Sequence, residues 1–327
     1  MRYGNGSAVA RVVCLAWLLW APLLLWTGIA LGEVLVDQAG RRVDVPVRAQ
    51  RVVSLAPSIT ECLFALGLDQ EVVGVTEFSN YPPEAASRPS VGSYVRINTE
   101  AVVSLRPDLV IATRDGNPAQ TVALLSDLGL TVYVVDPRDM DGLFATLESL
   151  GRIFGRGHRA EEIVRELAGR MERLERVLAG RARPRVFMQI GAAPLMTVGA
   201  GTLQNQLIAL AGGENIAEGD RIPYPIVSME RVLDARPEVI LICTLSGPSG
   251  AERQMAEWLR WTQVPAVASG RIHPVNGDLI ARPTPRILEG IEELACKIHP
   301  EVAALLQAGP DAARRGDAMS RASGRGE

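Results

Sequence analysis

Short unbroken apolar runs alternate with stretches of helical spacing over most of this chain. From Arg51, RVVSLAPSITECLFALG reads as strand, turn and helix, with Ser58 placed to cap the helix and Gly67 to end it. A short strand at 72–75 follows, then a loop rich in Ser, Pro and Tyr, a short helix, the strand LVIA, another helix and the strand TVYVVD. Buried-type strands alternating with amphipathic helices predict an α/β fold whose parallel sheet is linked by crossover helices. Residues 33–49 ahead of it read as a polar hairpin. Two helical stretches then intervene, 141–154 and 158–178. The second carries Ile163, Leu167, Met171, Leu174 and Leu178 on one stripe, and at ~1.5 Å per residue it spans roughly 30 Å. After the basic GRARPR the alternation restarts with RVFMQI, a glycine-rich loop and the helix TLQNQLIALAG, and a last helix lies near 286–298. From about Gly309 the residues are small, charged and without period, so 309–327 is expected to be a disordered tail.

One joint occurs twice. In EAVVSLRPDLVI (100–111) and ERVLDARPEVIL (230–241) an acidic residue opens a short amphipathic helix and a proline follows seven positions later. Another acid and an apolar strand complete each copy. Two copies predict two similar α/β lobes: 33–141, then 181–308, with 142–180 as a connecting helical segment. Between two lobes lies a cleft, the usual seat of a small ligand. A rigid helix of that length between the lobes would restrict hinge motion.

The first 32 residues stand apart. Arg2 and Arg11 lead VVCLAWLLWAPLLLWTGIAL, which closes on Ala30-Leu31-Gly32: a basic start, an apolar middle and small residues at a cut before Glu33. This is a secretory signal, with a retained membrane anchor as the alternative. Cys14 precedes most of the apolar block, the wrong order for a lipid-modified cysteine at the cut, so a soluble, periplasmic protein is expected. The 327-residue chain carries a formal charge of −3, and removing 1–32 takes away two arginines and no acids, leaving −5. A mildly acidic chain offers no electrostatic case for nucleic-acid binding. The remaining cysteines, Cys62, Cys243 and Cys296, lie in apolar contexts at no metal-binding spacing. They read as buried free thiols, with a Cys243–Cys296 bridge as the alternative.

Catalytic signatures are missing from the sequence: there is no nucleophile elbow, no HExxH pair, no phosphate-cradling loop and no dinucleotide fingerprint. His158, His273 and His299 are scattered and carry no acid or cysteine at ligand spacing, so structural or exposed roles are expected. An exported enzyme is therefore the weaker class, and neither a resident cofactor nor a metal is predicted.

The ordered series RVVSLAPSITECLFALG, YPPEA, NTEAVVSLRPDLVIA, RVFMQIG, GGENIAEGDRIPYPIVSMERVL and ARPTPRI resembles the substrate-binding proteins of ABC importers, in the branch that takes up cobalamin. The resemblance covers nearly all of 51–300. It implies two Rossmann-like lobes with parallel central sheets joined by a single long connecting helix, a ligand cleft between the lobes, and little hinge bending. It further implies a monomer that delivers its cargo to a permease dimer with ATPase subunits. A corrin is a large flat ring with amide arms and needs aromatic and proline faces with a few polar partners at the rim. By resemblance the first lobe supplies Pro57, Tyr81, Tyr94, Arg114 and Asn117, and the second Tyr224, Asp278 and Arg282. The sequence departs from that branch at Tyr94, Tyr224 and Thr113, where tryptophan is expected. Cobalamin is the first cargo implied and another corrinoid, such as a cobinamide precursor, the second. Haem or a ferric siderophore is the alternative: Tyr81, Tyr94 and Tyr224 could serve haem as axial ligands, and Arg96, Arg114, Arg221 and Arg282 could serve a trianionic catecholate. Glu100 and Glu230 open their helices, where a carboxylate is favoured by the helix dipole. In the family the chain resembles, one such glutamate per lobe meets arginines of the permease, which assigns both to docking.

Overall fold

The computed structural model describes residues 32–244 and 248–307. The expected signal segment, apart from Gly32, and the expected tail at 309–327 lie outside the described residues. An antiparallel hairpin of β1 (Glu33–Val36) and β2 (Arg42–Val45) comes first, as its polar alternation predicts. The first sheet holds β3 (Val52–Ser54), β4 (Val72–Gly74), β7 (Leu109–Thr113) and β8 (Val132–Val135), all parallel, in the order β4-β3-β7-β8. A two-residue hairpin, β5 (Gly92–Ser93) with β6 (Arg96–Ile97), sits in the loop after β4. Crossovers are made by α1 (Pro57–Ala65), α2 (Thr99–Ser104) and α3 (Ala119–Asp127). Every residue of β7 and β8 is buried, which is why these strands read as continuous apolar runs and not as an alternation.

Helices α4 (Met140–Ile153) and α5 (Gly157–Leu178) lead to the second sheet. That sheet is again parallel: β9 (Arg185–Gln189), β12 (Glu214–Asn215), β13 (Val239–Thr244) and β14 (Ile272–Asn276), ordered β12-β9-β13-β14. Between β9 and β12 lie the hairpin β10 (Gly191–Ala192) and β11 (Leu195–Met196) and then α6 (Leu203–Leu210). Helix α7 (Met229–Ala235) precedes β13, and α8 (Pro248–Trp258) and α9 (Pro265–Ala268) precede β14. The lobe closes with α10 (Gly277–Ile280), α11 (Ile287–Ile298) and α12 (Ala303–Gln307). Each sheet thus runs second, first, third, fourth strand, and a parallel sheet of that order opens a crevice at the carboxyl ends of its first and third strands.

The duplicated joint is duplicated in backbone geometry. Helix α2 is followed by Arg106 and α7 by Arg236, both left-handed at φ 48, so each helix stops before its proline. Asp108 then accepts hydrogen bonds from the backbone N–H of Gln50 (2.8 Å) and Arg51 (3.0 Å), and Glu238 accepts one from that of Arg185 (3.0 Å). The guanidinium groups of Arg51 and Arg185 cap the same joints, donating to the carbonyls of Arg106 (3.2 Å) and Arg236 (3.1 Å). The repeat therefore reaches back to the arginine that opens each lobe's first strand.

Helix α5 is roughly 33 Å long at ~1.5 Å per residue and buries Ala160, Ile163, Leu167 and Leu174. One apolar core runs through it from Ile59 and Leu63 of the first lobe, past Leu143 and Leu147 of α4, to Leu207 and Ile291 of the second. Arg170 on α5 grips Glu292 on α11 through two hydrogen bonds (3.2 and 2.8 Å). Gln206 of α6 accepts the backbone N–H of Met140 at 2.9 Å, so the connector side is held by polar as well as apolar contacts. Among the described residues no helix is long and apolar enough to cross a membrane.

Two expectations need correction. Ser58 does not cap α1: Ala56 takes the N-cap position without a side-chain bond, and Pro57 occupies the first helical turn, where a missing N–H costs nothing. Gly67, at φ 74, does end that helix. Cys62, Cys243 and Cys296 are all free, as first read, and the alternative bridge does not form, but only Cys62 is buried while Cys243 and Cys296 are half-buried. Burial pushes the thiol of Cys243 up to about 11, which keeps it protonated and inert.

Candidate ligand-binding cleft

The carboxyl ends of the two sheets face a common cleft of about 500 Å³. The first lobe contributes residues 56–58 after β3, 113–115 at the end of β7 and 136–138 after β8, with Phe78 and Tyr94 from the loops between. The second contributes 201–204 at the start of α6, Pro223 and Tyr224, Asp278, and 281–283.

Six of the eight candidates from the sequence meet there: Pro57, Tyr94, Arg114, Tyr224, Asp278 and Arg282. The Tyr94 ring is seated on Gly116, where φ is +104 and a Cβ would fall 2.1 Å from the ring, so glycine is required beneath it. Burial, then the charges of Asp115 and Tyr94, push the Tyr224 phenol above its ordinary value, leaving it a neutral hydroxyl donor across the cleft.

The other two candidates are placed elsewhere. Asn117 is buried and scaffolds the loops around the cleft without facing it. Its amide oxygen accepts the Thr113 N–H (2.8 Å), and its nitrogen donates to the carbonyls of Leu55 (2.9 Å) and Tyr94 (2.6 Å). Tyr81 does not line the cleft; the guanidinium of Arg286 lies 3.7 Å above its ring.

The arginines of the cleft are already engaged. Arg114 meets the Asp136 carboxylate at 3.5 Å and Arg138 meets it at 2.9 Å. Arg282 is held by Asp278 (2.8 Å), Asn80 (2.9 Å) and Glu61 (3.1 Å). Glu61 lies on α1 with its side chain only 2 % exposed, and its second oxygen faces Arg286 at 3.4 Å. Burial raises the Glu61 pKa, an effect opposed by the two arginines. These contacts, with the Arg286–Tyr81 stack, clamp the lobes along one flank of the cleft. The charged residues that line it are Arg114, Arg138 and Arg282 against Asp115, Asp136 and Asp278, a balance of zero. Arg96 and Arg221 are exposed and do not line it. Among the described residues no cluster of His, Cys, Asp and Glu is arranged to hold a metal ion.

Sequence reasoning missed Phe78, the Asp136–Arg138 pair and Gln204, because nothing in their local pattern marks the loops that fold over the cleft. Glu100 and Glu230 lie outside the cleft lining, exposed, one per lobe, each in the first turn of its helix. Their helices are capped by Asn98, which accepts from Ala101 N–H, and Ser228, which accepts from Arg231 N–H. The backbone N–H of Glu230 and the Ser228 hydroxyl hold the Glu230 carboxyl below the usual range.

Two lobes of one strand order, a helical connector and an interlobe cleft agree with the family comparison, in which the periplasmic binding protein model matches residues 52–276. The chain belongs to the periplasmic binding protein family. It is 35 % identical over 250 residues to the vitamin B12-binding protein of Yersinia pseudotuberculosis serotype O:3 (strain YPIII), covering 75 % of this chain and 85 % of that one. The crystal structure of the periplasmic vitamin B12-binding protein BtuF of Vibrio cholerae superposes with a TM-score of 0.70 at 31 % identity, over 80 % of this chain and 98 % of BtuF. A periplasmic haem-binding protein from Pseudomonas aeruginosa gives a TM-score of 0.68 at 28 % identity, over 77 % of this chain and 93 % of that one. Members of the family thus share this architecture while differing in cargo.

Proposed function

We propose that this chain is an extracytoplasmic solute receptor that binds cobalamin or a related corrinoid in the interlobe cleft and delivers it to an ABC permease. The observation that carries the reading is the cleft's chemistry: Tyr94, Tyr224, Phe78 and Pro57 offer flat apolar faces, while the lining charges cancel. A corrin with carboxamide arms suits such walls, whereas a catecholate siderophore or the propionates of haem need unpaired cations. Relatives named vitamin B12-binding protein, 35 % and 32 % identical over 250 residues, support the same cargo.

On this reading Pro57, Tyr94, Arg114, Tyr224, Asp278 and Arg282 contact the ligand, and Asn117 and Tyr81 support them from behind. The lobes are 33–141 and 181–308 with 142–180 as the connector. The protein is exported to the periplasm by its N-terminal signal, acts as a monomer, and binds its cargo without turning it over. Glu100 and Glu230, one on each lobe, dock to the two arginine-bearing subunits of a permease dimer whose ATPase subunits then fire. A second reading keeps the class and changes the cargo to haem, favoured by the two phenols facing the cleft and by the haem-binding neighbour. Equilibrium dialysis of the purified protein against cyanocobalamin decides the class. One ligand retained per chain and recovered chemically unchanged supports a receptor; converted ligand contradicts it.

A further inference from the structure

Gln204, in the first turn of α6, lines the cleft yet is only 7 % exposed. Its amide nitrogen donates to the carbonyl of Ile280 at 3.3 Å, which fixes the orientation of the group, since the reverse would set two acceptors against each other. The amide oxygen that remains is buried and has no hydrogen-bond partner. Gln189, buried in the same lobe, shows the contrast: its nitrogen donates to Gln254 (2.7 Å) and its oxygen accepts the Trp258 indole N–H (2.7 Å). An unpaired buried acceptor is a standing cost to the fold, and in a residue that lines the cleft that cost is relieved if the ligand brings a donor within reach.

We propose that the Gln204 amide oxygen accepts a hydrogen bond from a peripheral carboxamide N–H of the bound ring, and so selects amide-bearing corrinoids over rings that carry carboxylates. The proposal rests on the corrinoid reading of the cleft. A carboxamide brings N–H donors, whereas an ionised carboxylate brings only acceptors, and at Gln204 it would set oxygen against oxygen. Balanced lining charges keep the cleft from drawing in anions, and Gln204 adds a short-range rejection at the wall. Specificity then comes from what the site leaves unpaired for the wrong ligand.

The test is a titration of the purified protein with dicyanocobinamide and with cobyrinic acid, a corrin bearing carboxyl groups where cobinamide bears amides. Wild type should prefer cobinamide by at least about 10-fold, the size expected of one buried hydrogen bond gained or lost. Gln204→Met keeps the length of the side chain without the acceptor and should shrink that preference about 10-fold, through the cobinamide arm. Loss of the bond to Ile280 affects both ligands alike, so the ratio is the readout. Equal affinity of wild type for the two rings, or an unchanged ratio in Gln204→Met, overturns the proposal. Should Gln204→Met not fold, the same ratio is read in Gln204→Leu, which also removes the acceptor, and an unchanged ratio there overturns the proposal. Failure of wild type to bind either ring sinks the corrinoid reading itself, a result distinct from a lost preference.

Discussion

The two lobes share a frame and differ in what they hang on it. Both run second, first, third, fourth strand, and both turn from helix to strand through a left-handed arginine, a proline and an acid that grips the start of the first strand. The loops at the strand ends follow no such repeat. The first lobe presents Tyr94 on its glycine and the Arg114–Asp136–Arg138 cluster, while the second presents Tyr224, Gln204 and an Arg282 bound by an acid from the other lobe. Duplication thus sets the architecture and puts Glu100 and Glu230 at matching places on the two lobes, while the loops that line the cleft diverge.

The largest expected effect tests the symmetric part. Glu100→Lys together with Glu230→Lys should abolish stimulation of the permease ATPase while leaving ligand affinity unchanged, measured with the reconstituted transporter. Each single reversal should weaken it to a similar degree if, as proposed, one carboxylate per lobe meets one subunit. An effect from only one of them breaks the equivalence of the lobes.

Next in size is the clamp that joins the lobes. Glu61→Ala leaves Arg282 and Arg286 without their buried acid and should cost about 3 kcal/mol in urea unfolding, with weaker ligand binding. Neutral unfolding energetics would mean that the lobes are held by the connector core alone. The joints come after that. Asp108→Ala loses two backbone hydrogen bonds and Glu238→Ala one, so each should cost about 1 kcal/mol, with Asp108 the larger. A reversed order would show that the two joints are alike in shape only.

The smallest effect separates the lobes by pH. Burial, then Lys297 and Arg271, lower the pKa of His273 on β14 from the ordinary histidine value of about 6.5. A folded value below the unfolded one means that the unfolded chain binds the proton first, so stability is lost as the pH falls through 6.5 toward the folded value. His273→Gln should flatten unfolding midpoints over that window, and an unflattened profile would place the acid sensitivity elsewhere.

Much of this frame was legible because strands buried on both faces must be unbroken apolar runs, as in LVIA and VILIC, and because the duplicated joint repeats its acid and proline at fixed spacing. The helix ends were less so: Ser58 looked like a cap, yet Pro57 shifts the start of α1 by preferring the first turn. Most of the cleft-facing loops could be named from residue type, but their roles could not. Asn117 reads like Arg114 in TRDGN, and only the folded loop shows that its amide ties three backbone segments together. Glu61 and Arg282 lie 221 residues apart, so their ion pair has no local signature. Gln204 sits inside an ordinary amphipathic helix, and its open oxygen is a property of packing.

The most direct measurement is isothermal titration of the purified protein with cyanocobalamin, dicyanocobinamide, haemin and a ferric catecholate in parallel. Saturable one-to-one binding of the corrinoids at submicromolar affinity, with none of the anionic cargoes competing, is what a charge-balanced, aromatic-walled cleft predicts. Binding of haemin or the catecholate with silence toward both corrinoids would contradict it.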